Sequence, residues 1–176
     1  KKEGIVYKGF LYVGLMIDEK GSPRVLEYNC RLGDPETQPI LMRLETALVD
    51  LCLMALTGKL KNYPIKWDER SALGVVMASK GYPGKYEQGD PISGLDNMVF
   101  RAVSRKGPIG SKDIKVFHAG TVELDGKVCT NGGRVLCVTA LGEAIGPAQH
   151  EAYEGVKQIW WPGVFYRPDI GNKAFT

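Results

Sequence analysis

At 176 residues, with 44% hydrophobic and 24% charged residues, the chain has ordinary globular composition and room for one domain or two small ones. Such a chain buries a core without disulfides or metals, and a net charge of +3 is too slight to point to nucleic acid or a membrane as partner. Twenty-two glycines and ten prolines favour strands and tight turns over long helices.

The chain opens Lys1-Lys2-Glu3-Gly4 and runs straight into a strand-like segment, with no apolar signal-peptide core. No stretch approaches the roughly 20 apolar residues of a membrane span. With no initiator methionine, the sequence reads as a piece of something longer. Residues 10–17 predict a strand whose Leu11, Val13, Leu15 and Ile17 form an aliphatic face. A polar turn over 18–23 delivers the chain into a second strand over 24–30, so an antiparallel hairpin is expected. Side chains alternate along that strand. Glu27, Asn29 and Arg31 share one face, while Leu26, Tyr28 and Cys30 form an apolar face fit to sit on a core. Asp34 and Glu36 lie just beyond, in the Gly33–Glu36 turn.

The Gln38-Pro39 pair is expected to stay extended, because a residue before proline avoids the helical region. Thr46 is then placed as the N-cap of a helix over 47–57 that stops at Gly58. That helix is apolar on most of its circumference, which predicts cover on most sides. A polar, proline-marked stretch at 61–66 is the expected boundary. Beyond it come strands at 71–79, 98–104, 116–124, 127–130 and 134–140. An Asp125-Gly126 hairpin turn and a helix between Glu143 and Lys157 complete the set. The aromatic tail over 160–171 is expected to dock on the domain. Cys30, Cys52, Cys129 and Cys137 contain no C-x-x-C pair and read as reduced thiols.

Two segments carry candidate chemistry. Residues two apart on a strand are roughly 6.5–7 Å apart, so Glu27 and Asn29 can converge on one hard cation or on neighbouring ones. Mg²⁺ takes only one or two carboxylates besides waters and substrate phosphates. The same row also fits a solvated outer face of an edge strand. Arg31 can clamp a phosphate or carboxylate, and Asp34 can reach a substrate amine. The second segment, Asn131-Gly132-Gly133-Arg134, offers backbone N–H groups and a guanidinium. It fits a phosphate cradle or a plain turn with a surface arginine. His118 reads as a packed or hydrogen-bonded core histidine and His150 as a solvated helix residue. There is no Walker A loop and no G-x-G-x-x-G.

Taken together, Glu27-Tyr28-Asn29-Cys30-Arg31-Leu32-Gly33-Asp34-Pro35-Glu36-Thr37-Gln38, Gly81-Tyr82-Pro83-Gly84, Val116-Phe117-His118-Ala119-Gly120-Thr121, Thr130-Asn131-Gly132-Gly133-Arg134 and Arg167-Pro168-Asp169-Ile170-Gly171 carry a resemblance. In this order they resemble the C-terminal part of the glycinamide ribonucleotide synthetase (phosphoribosylamine–glycine ligase) family, of the ATP-grasp superfamily. The resemblance implies an α+β fold. Residues 1–60 would be the C-terminal half of an ATP-grasp domain, an antiparallel sheet plus a buried helix. Residues 61–176 would be a small, β-rich mixed C-terminal domain. It also implies an ATP- and Mg²⁺- (or Mn²⁺-) dependent cytoplasmic ligase of purine biosynthesis, with phosphoribosylamine and glycine as the other substrates. By the same resemblance Glu27 and Asn29 are metal ligands, Leu26 touches the nucleotide, and Arg31 and Asp34 act on the acyl phosphate and the amine. Asn131, Gly132, Gly133 and Arg134 would bind the ribose phosphate. The family's N-terminal domain and ATP-grasp lid precede the matched region, so the site would be half built and the piece alone inactive. Another ATP-grasp ligase, such as a carboxylase subunit, and a non-catalytic β-rich binding module are the alternative readings.

Overall fold

The computed structural model describes residues 3–4, 6–96 and 114–175. The strand expected over 98–104 lies outside the described residues. The chain divides into two compact units. The first comprises Lys1–Thr37 and Leu44–Trp67, the second Gln38–Arg43 and Asp68–Thr176.

In the first unit, β1 (Tyr12–Ile17) and β2 (Pro23–Asn29) form the expected antiparallel hairpin. Its turn is set by Asp18, whose carboxylate accepts the N–H groups of Lys20 and Ser22 at 3.0 and 2.9 Å, the Asx geometry that makes aspartate a turn residue. Register runs Tyr12↔Asn29, Val13↔Tyr28, Gly14↔Glu27 and then Leu15↔Val25, so Leu26 is the extra residue of a bulge. The apolar face expected to sit on a core does not: Leu26 and Tyr28 are 63% and 62% exposed. A two-stranded ribbon has no third strand or second layer to cover it.

Helix α2 (Leu48–Leu56) forms where expected, but its apolar surface is not covered. It has no buried residue, and Val49, Leu53 and Leu56 are exposed. A hairpin and one 3₁₀ turn (Leu60–Asn62) are too few elements to surround it. Nor is Thr46 the cap. Ala47 holds that position, and the Thr46 hydroxyl accepts the Lys66 N–H at 2.7 Å.

The second unit has a closed core. Strands β3 (Ser71–Ala78), β7 (Arg134–Gly142) and β4 (Ile114–His118) form an antiparallel sheet in the order β3-β7-β4, while β5 (Thr121–Leu124) and β6 (Lys127–Thr130) form a hairpin. The central strand is buried continuously from Val135 to Leu141. Cross-strand partners share a face. Leu73, Val75, Met77, Leu136, Val138, Ala140 and Ile114 therefore form one layer against α3 (Ile145–Val156). The helix presents Ala148, Ala152 and Val156, small side chains that admit a close approach. Pro147 sits in its first turn, where no intrahelical N–H is needed. Each fully buried aliphatic side chain here contributes about 1.5–3 kcal/mol.

The aromatic tail docks as expected. Trp161 is fully buried, Phe165 exchanges two backbone hydrogen bonds with Ala78 (2.7 and 2.9 Å), and Val164, Tyr166 and Ile170 pack on the core. Two further local expectations fail. Residues 37–43 form helix α1 (Thr37–Arg43) and not an extended segment, since Pro39 stands in the first turn and loses no hydrogen bond there. The strand expected over 116–124 breaks at Ala119-Gly120. A side chain at Gly120 would meet the Gly132 Cα at 2.7 Å, so two backbones cross closely at that point.

Candidate functional site

The polar row lies on β2, opposite β1. Glu27 faces Gly14 in register, and a Cβ on Gly14 would come within 3.1 Å of Glu27 Cγ, so the glutamate lies over the partner strand. Asn29, half-buried, faces Tyr12. The chain then turns. The Arg31 guanidinium donates to the Leu32 carbonyl at 2.9 Å, and the Thr37 N–H donates to the Gly33 carbonyl at 3.1 Å, as does the Thr37 hydroxyl.

Gly33 is buried between two side chains. A Cβ there would meet Glu36 Oε2 at 2.6 Å and the Tyr12 ring at 3.0 Å. The Tyr12 hydroxyl donates to Glu36 Oε1 at 3.3 Å. The charge of Glu36 is the first cause holding the Tyr12 phenol above its ordinary 10.0, followed by burial, the Glu36 hydrogen bond and Glu27, with Arg31 opposing. Tyr12, Glu27, Arg31 and Glu36 thus share one electrostatic neighbourhood, with Asn29 directly across the ladder from Tyr12. Tyr12 escapes a reading of β1 alone, whose pattern shows only an aliphatic face. Counting back across the hairpin from Asn29 finds it.

This donor set suits a hard cation in part. Glu27 and Asn29 offer one carboxylate and one amide oxygen on a rigid strand, within the one or two protein carboxylates Mg²⁺ usually takes. Among the described residues no group of three or more His, Cys, Asp or Glu side chains is arranged to hold a metal. A cation here would draw its remaining oxygens from water or substrate phosphates.

The second candidate segment lies in the second unit. Gly132 and Gly133 pass their carbonyls to Ser79, which donates its hydroxyl to Gly132 O and its N–H to Gly133 O, both at 2.9 Å. The N–H groups of Gly132 and Gly133 have no main-chain acceptor among the described residues. Gly133 is tight against Tyr82 and Tyr86, where a Cβ would fall 2.1 and 3.0 Å from the rings. The Arg134 guanidinium carbon lies 6.0 Å from the Tyr82 ring centre. Ser79 and Tyr86 also line a cleft of about 570 Å³ whose charged residues are Lys80, Lys85, Glu87 and Asp90, so cations and carboxylates balance beside the loop.

His118, expected in the core, is exposed, and its Nδ1 lies 3.1 Å from the Thr121 hydroxyl. It ends β4 at the break, beyond the reach of the packed layer. His150 is exposed on α3, as expected.

Comparison with known proteins defines the class. The first 37 residues match the model described as "Phosphoribosylglycinamide synthetase, ATP-grasp (A) domain". The fold also resembles that of Kluyveromyces lactis urea carboxylase, with a TM-score of 0.59 and 15% identity over 91% of this chain and 13% of that one. At that identity the likeness speaks for the fold alone. This is the α+β architecture of ATP-grasp proteins.

Residues 72–173 match "Phosphoribosylglycinamide synthetase, C domain", and the chain belongs to the phosphoribosylglycinamide synthetase family. It is 55% identical over 174 residues to the phosphoribosylamine–glycine ligase of Vibrio parahaemolyticus, a match covering 99% of this chain and 38% of the relative. The crystal structure of the phosphoribosylamine–glycine ligase of Thermotoga maritima superposes with a TM-score of 0.76 at 39% identity, over 97% of this chain and 39% of that one. The chain therefore spans well under half the length of the relatives it matches.

Proposed function

We propose that this chain is the C-terminal part of an ATP- and Mg²⁺- (or Mn²⁺-) dependent ligase of purine biosynthesis. The enzyme joins phosphoribosylamine and glycine through a glycyl phosphate, giving glycinamide ribonucleotide, ADP and phosphate. The observation that supports this most is the match over 99% of the chain to a phosphoribosylamine–glycine ligase. No helix among the described residues is long and apolar enough to cross a membrane, and we place the enzyme in the cytoplasm. Residues 1–60 belong on this reading to the ATP-grasp domain and 61–176 to the C-terminal domain.

Glu27 and Asn29 would hold the divalent cation, which when bound neutralises charge on the transferring phosphoryl group. The glycine carboxylate attacks the γ-phosphorus of ATP and ADP leaves. The amine nitrogen then attacks the glycyl carbonyl carbon, phosphate leaves, and the nitrogen gives up a proton. Arg31 supplies positive charge beside the acyl phosphate, and Asp34 orients the amine by accepting its N–H. Leu26, exposed beside the row, offers an apolar contact to the nucleotide. Asn131, Gly132, Gly133 and Arg134 hold the ribose phosphate through the Asn131 side-chain amide, the two glycine N–H groups and a guanidinium, with two hydrogen bonds from Ser79 stiffening the loop.

The test is a chimera in which this chain replaces the matching portion of the Vibrio parahaemolyticus relative. Phosphate release dependent on ATP, glycine and phosphoribosylamine is expected from the chimera and not from the chain alone. Glu27→Gln should raise the Mg²⁺ requirement and lower kcat, each by about tenfold. Arg134→Ala should raise KM for phosphoribosylamine about 30-fold with kcat little changed, the scale of one charge-assisted hydrogen bond. An unchanged Mg²⁺ dependence and turnover in Glu27→Gln would remove the metal assignment.

A further inference from the structure

Three residues outside the candidate row brace the turn that follows it. Tyr12 stands opposite Asn29, its hydroxyl bonded to Glu36 and its ring against Gly33. Glu36 closes the same turn that carries Asp34, with its second oxygen over Gly33. The Thr37 N–H and hydroxyl both anchor on the Gly33 carbonyl. The turn's attachments include one that is local, through Thr37, and one across the hairpin, through Tyr12 and Glu36. The second ties the turn to the strand that faces Glu27 and Asn29.

We propose that Tyr12 and Glu36 are a positioning pair that fixes the Gly33–Glu36 turn against β1, setting where Asp34 stands relative to the Glu27–Asn29 row. Neither side chain is placed in contact with reacting atoms. Gly33 is part of the same device, because any larger residue would separate ring and carboxylate. The role rests on the ligase reading above, and it predicts a selective defect. Loosening the turn misplaces the amine-orienting carboxylate while leaving the cation ligands on their own strand.

The kinetic arm uses the chimera. Tyr12→Phe is expected to raise KM for phosphoribosylamine five- to tenfold, the scale of one lost hydrogen bond, while kcat, KM for ATP and the Mg²⁺ midpoint stay within about twofold. Glu36→Gln keeps an oxygen that accepts the phenol proton and should remain near wild type, whereas Glu36→Ala should match Tyr12→Phe. The double variant Tyr12→Phe/Glu36→Ala should be no worse than either single change. Equal losses in every kinetic constant together with a lowered melting temperature would mean a merely structural role, and fully additive losses would mean no pair. Either result overturns the proposal, as does a Glu36→Gln enzyme no better than Glu36→Ala.

The second arm does not depend on activity. In protein carrying ¹³C-labelled tyrosine, the resonance lost in Tyr12→Phe identifies the phenol. Glu36→Ala removes the acceptor of its hydroxyl, so the ring resonance should move while those of the second unit's tyrosines stay in place. A phenol that does not move sinks the pair even if the chimera is a competent ligase. A chimera that does not ligate removes the functional reading and the amine-orienting role with it, and the phenol then decides the pairing alone.

Discussion

The two units of this chain solve the problem of apolar surface differently. In the second, thirteen buried side chains form one cluster in which Val75, Met77, Val138 and Trp161 are wholly inaccessible. In the first, Gly33 is the only residue buried among those described, although the unit is written with as regular an apolar pattern. Alternation and helical spacing state which side chains require cover. They do not state whether the same stretch of chain provides it. The second unit provides its own, through a sheet, a helix and a docked tail, while the first exposes Leu26, Leu53 and Leu56 to solvent.

That contrast can be broken most directly at Trp161. Its indole N–H has no acceptor among the described residues, so the side chain contributes packing alone. Trp161→Ala should cost about 3–5 kcal/mol, the range for deleting a buried aromatic. Leu53→Ala, half-exposed on α2, should cost less than about 0.5 kcal/mol. Urea unfolding followed by circular dichroism at low protein concentration reads both. Comparable losses would mean that the first unit acquires cover in solution and that the contrast is not intrinsic to the chain. The next largest effect is expected at Gly33→Ala. The added methyl must displace the Glu36 carboxylate or the Tyr12 ring, and overpacking of this kind costs about 1–3 kcal/mol. Hydrogen exchange should show faster amides around the Gly33–Thr37 turn with β7 unchanged. A variant with wild-type exchange throughout would show that the one packed point of the first unit bears no stability.

These effects follow how far each feature could be read from local sequence. The α+β class, the β1–β2 hairpin, the Asp125-Gly126 turn and α3 were legible because period and turn chemistry act within a few residues. Features decided by distant partners were not. Thr46 has the chemistry of a cap, yet its hydroxyl is claimed by Lys66, twenty residues on. His118 follows the alternation of a buried strand, yet the close crossing of Gly120 and Gly132 ends the strand and leaves it outside. Pro39 marks a boundary by rule, but in the first turn of α1 it costs nothing. In the candidate site the row on β2 was readable from alternation, because it lies on one strand. Its support from Tyr12 was not, because register joins residues that the sequence holds apart.

The smallest effect concerns the point where the second unit resumes after Trp67. Asp68 accepts the Arg70 guanidinium at 2.7 and 3.0 Å and the Arg70 N–H at 2.9 Å, while its own N–H donates to the Arg43 carbonyl at 2.7 Å. The Arg70 hydrogen bond is the main reason its carboxyl lies below the ordinary 3.8, with burial opposing and the Arg70 and Arg43 charges assisting. A carboxylate whose folded pKa is depressed stabilises the fold above its unfolded value, and that contribution is lost as pH falls through the folded value. Asp68→Asn should therefore cost about 1 kcal/mol at pH 7, since both side chains of the pair are largely covered. The difference from wild type should hold from pH 7 to 5 and shrink below pH 3.8 as the wild-type carboxylate takes up its proton. The pair Arg167–Asp169 has the same short contact at 2.7 Å, but both partners are about half exposed or more. Water and salt screen it, so Asp169→Asn should leave stability unchanged across the same titration. A pH-dependent loss in Asp169→Asn as large as that in Asp68→Asn would mean that burial does not separate the two ion pairs.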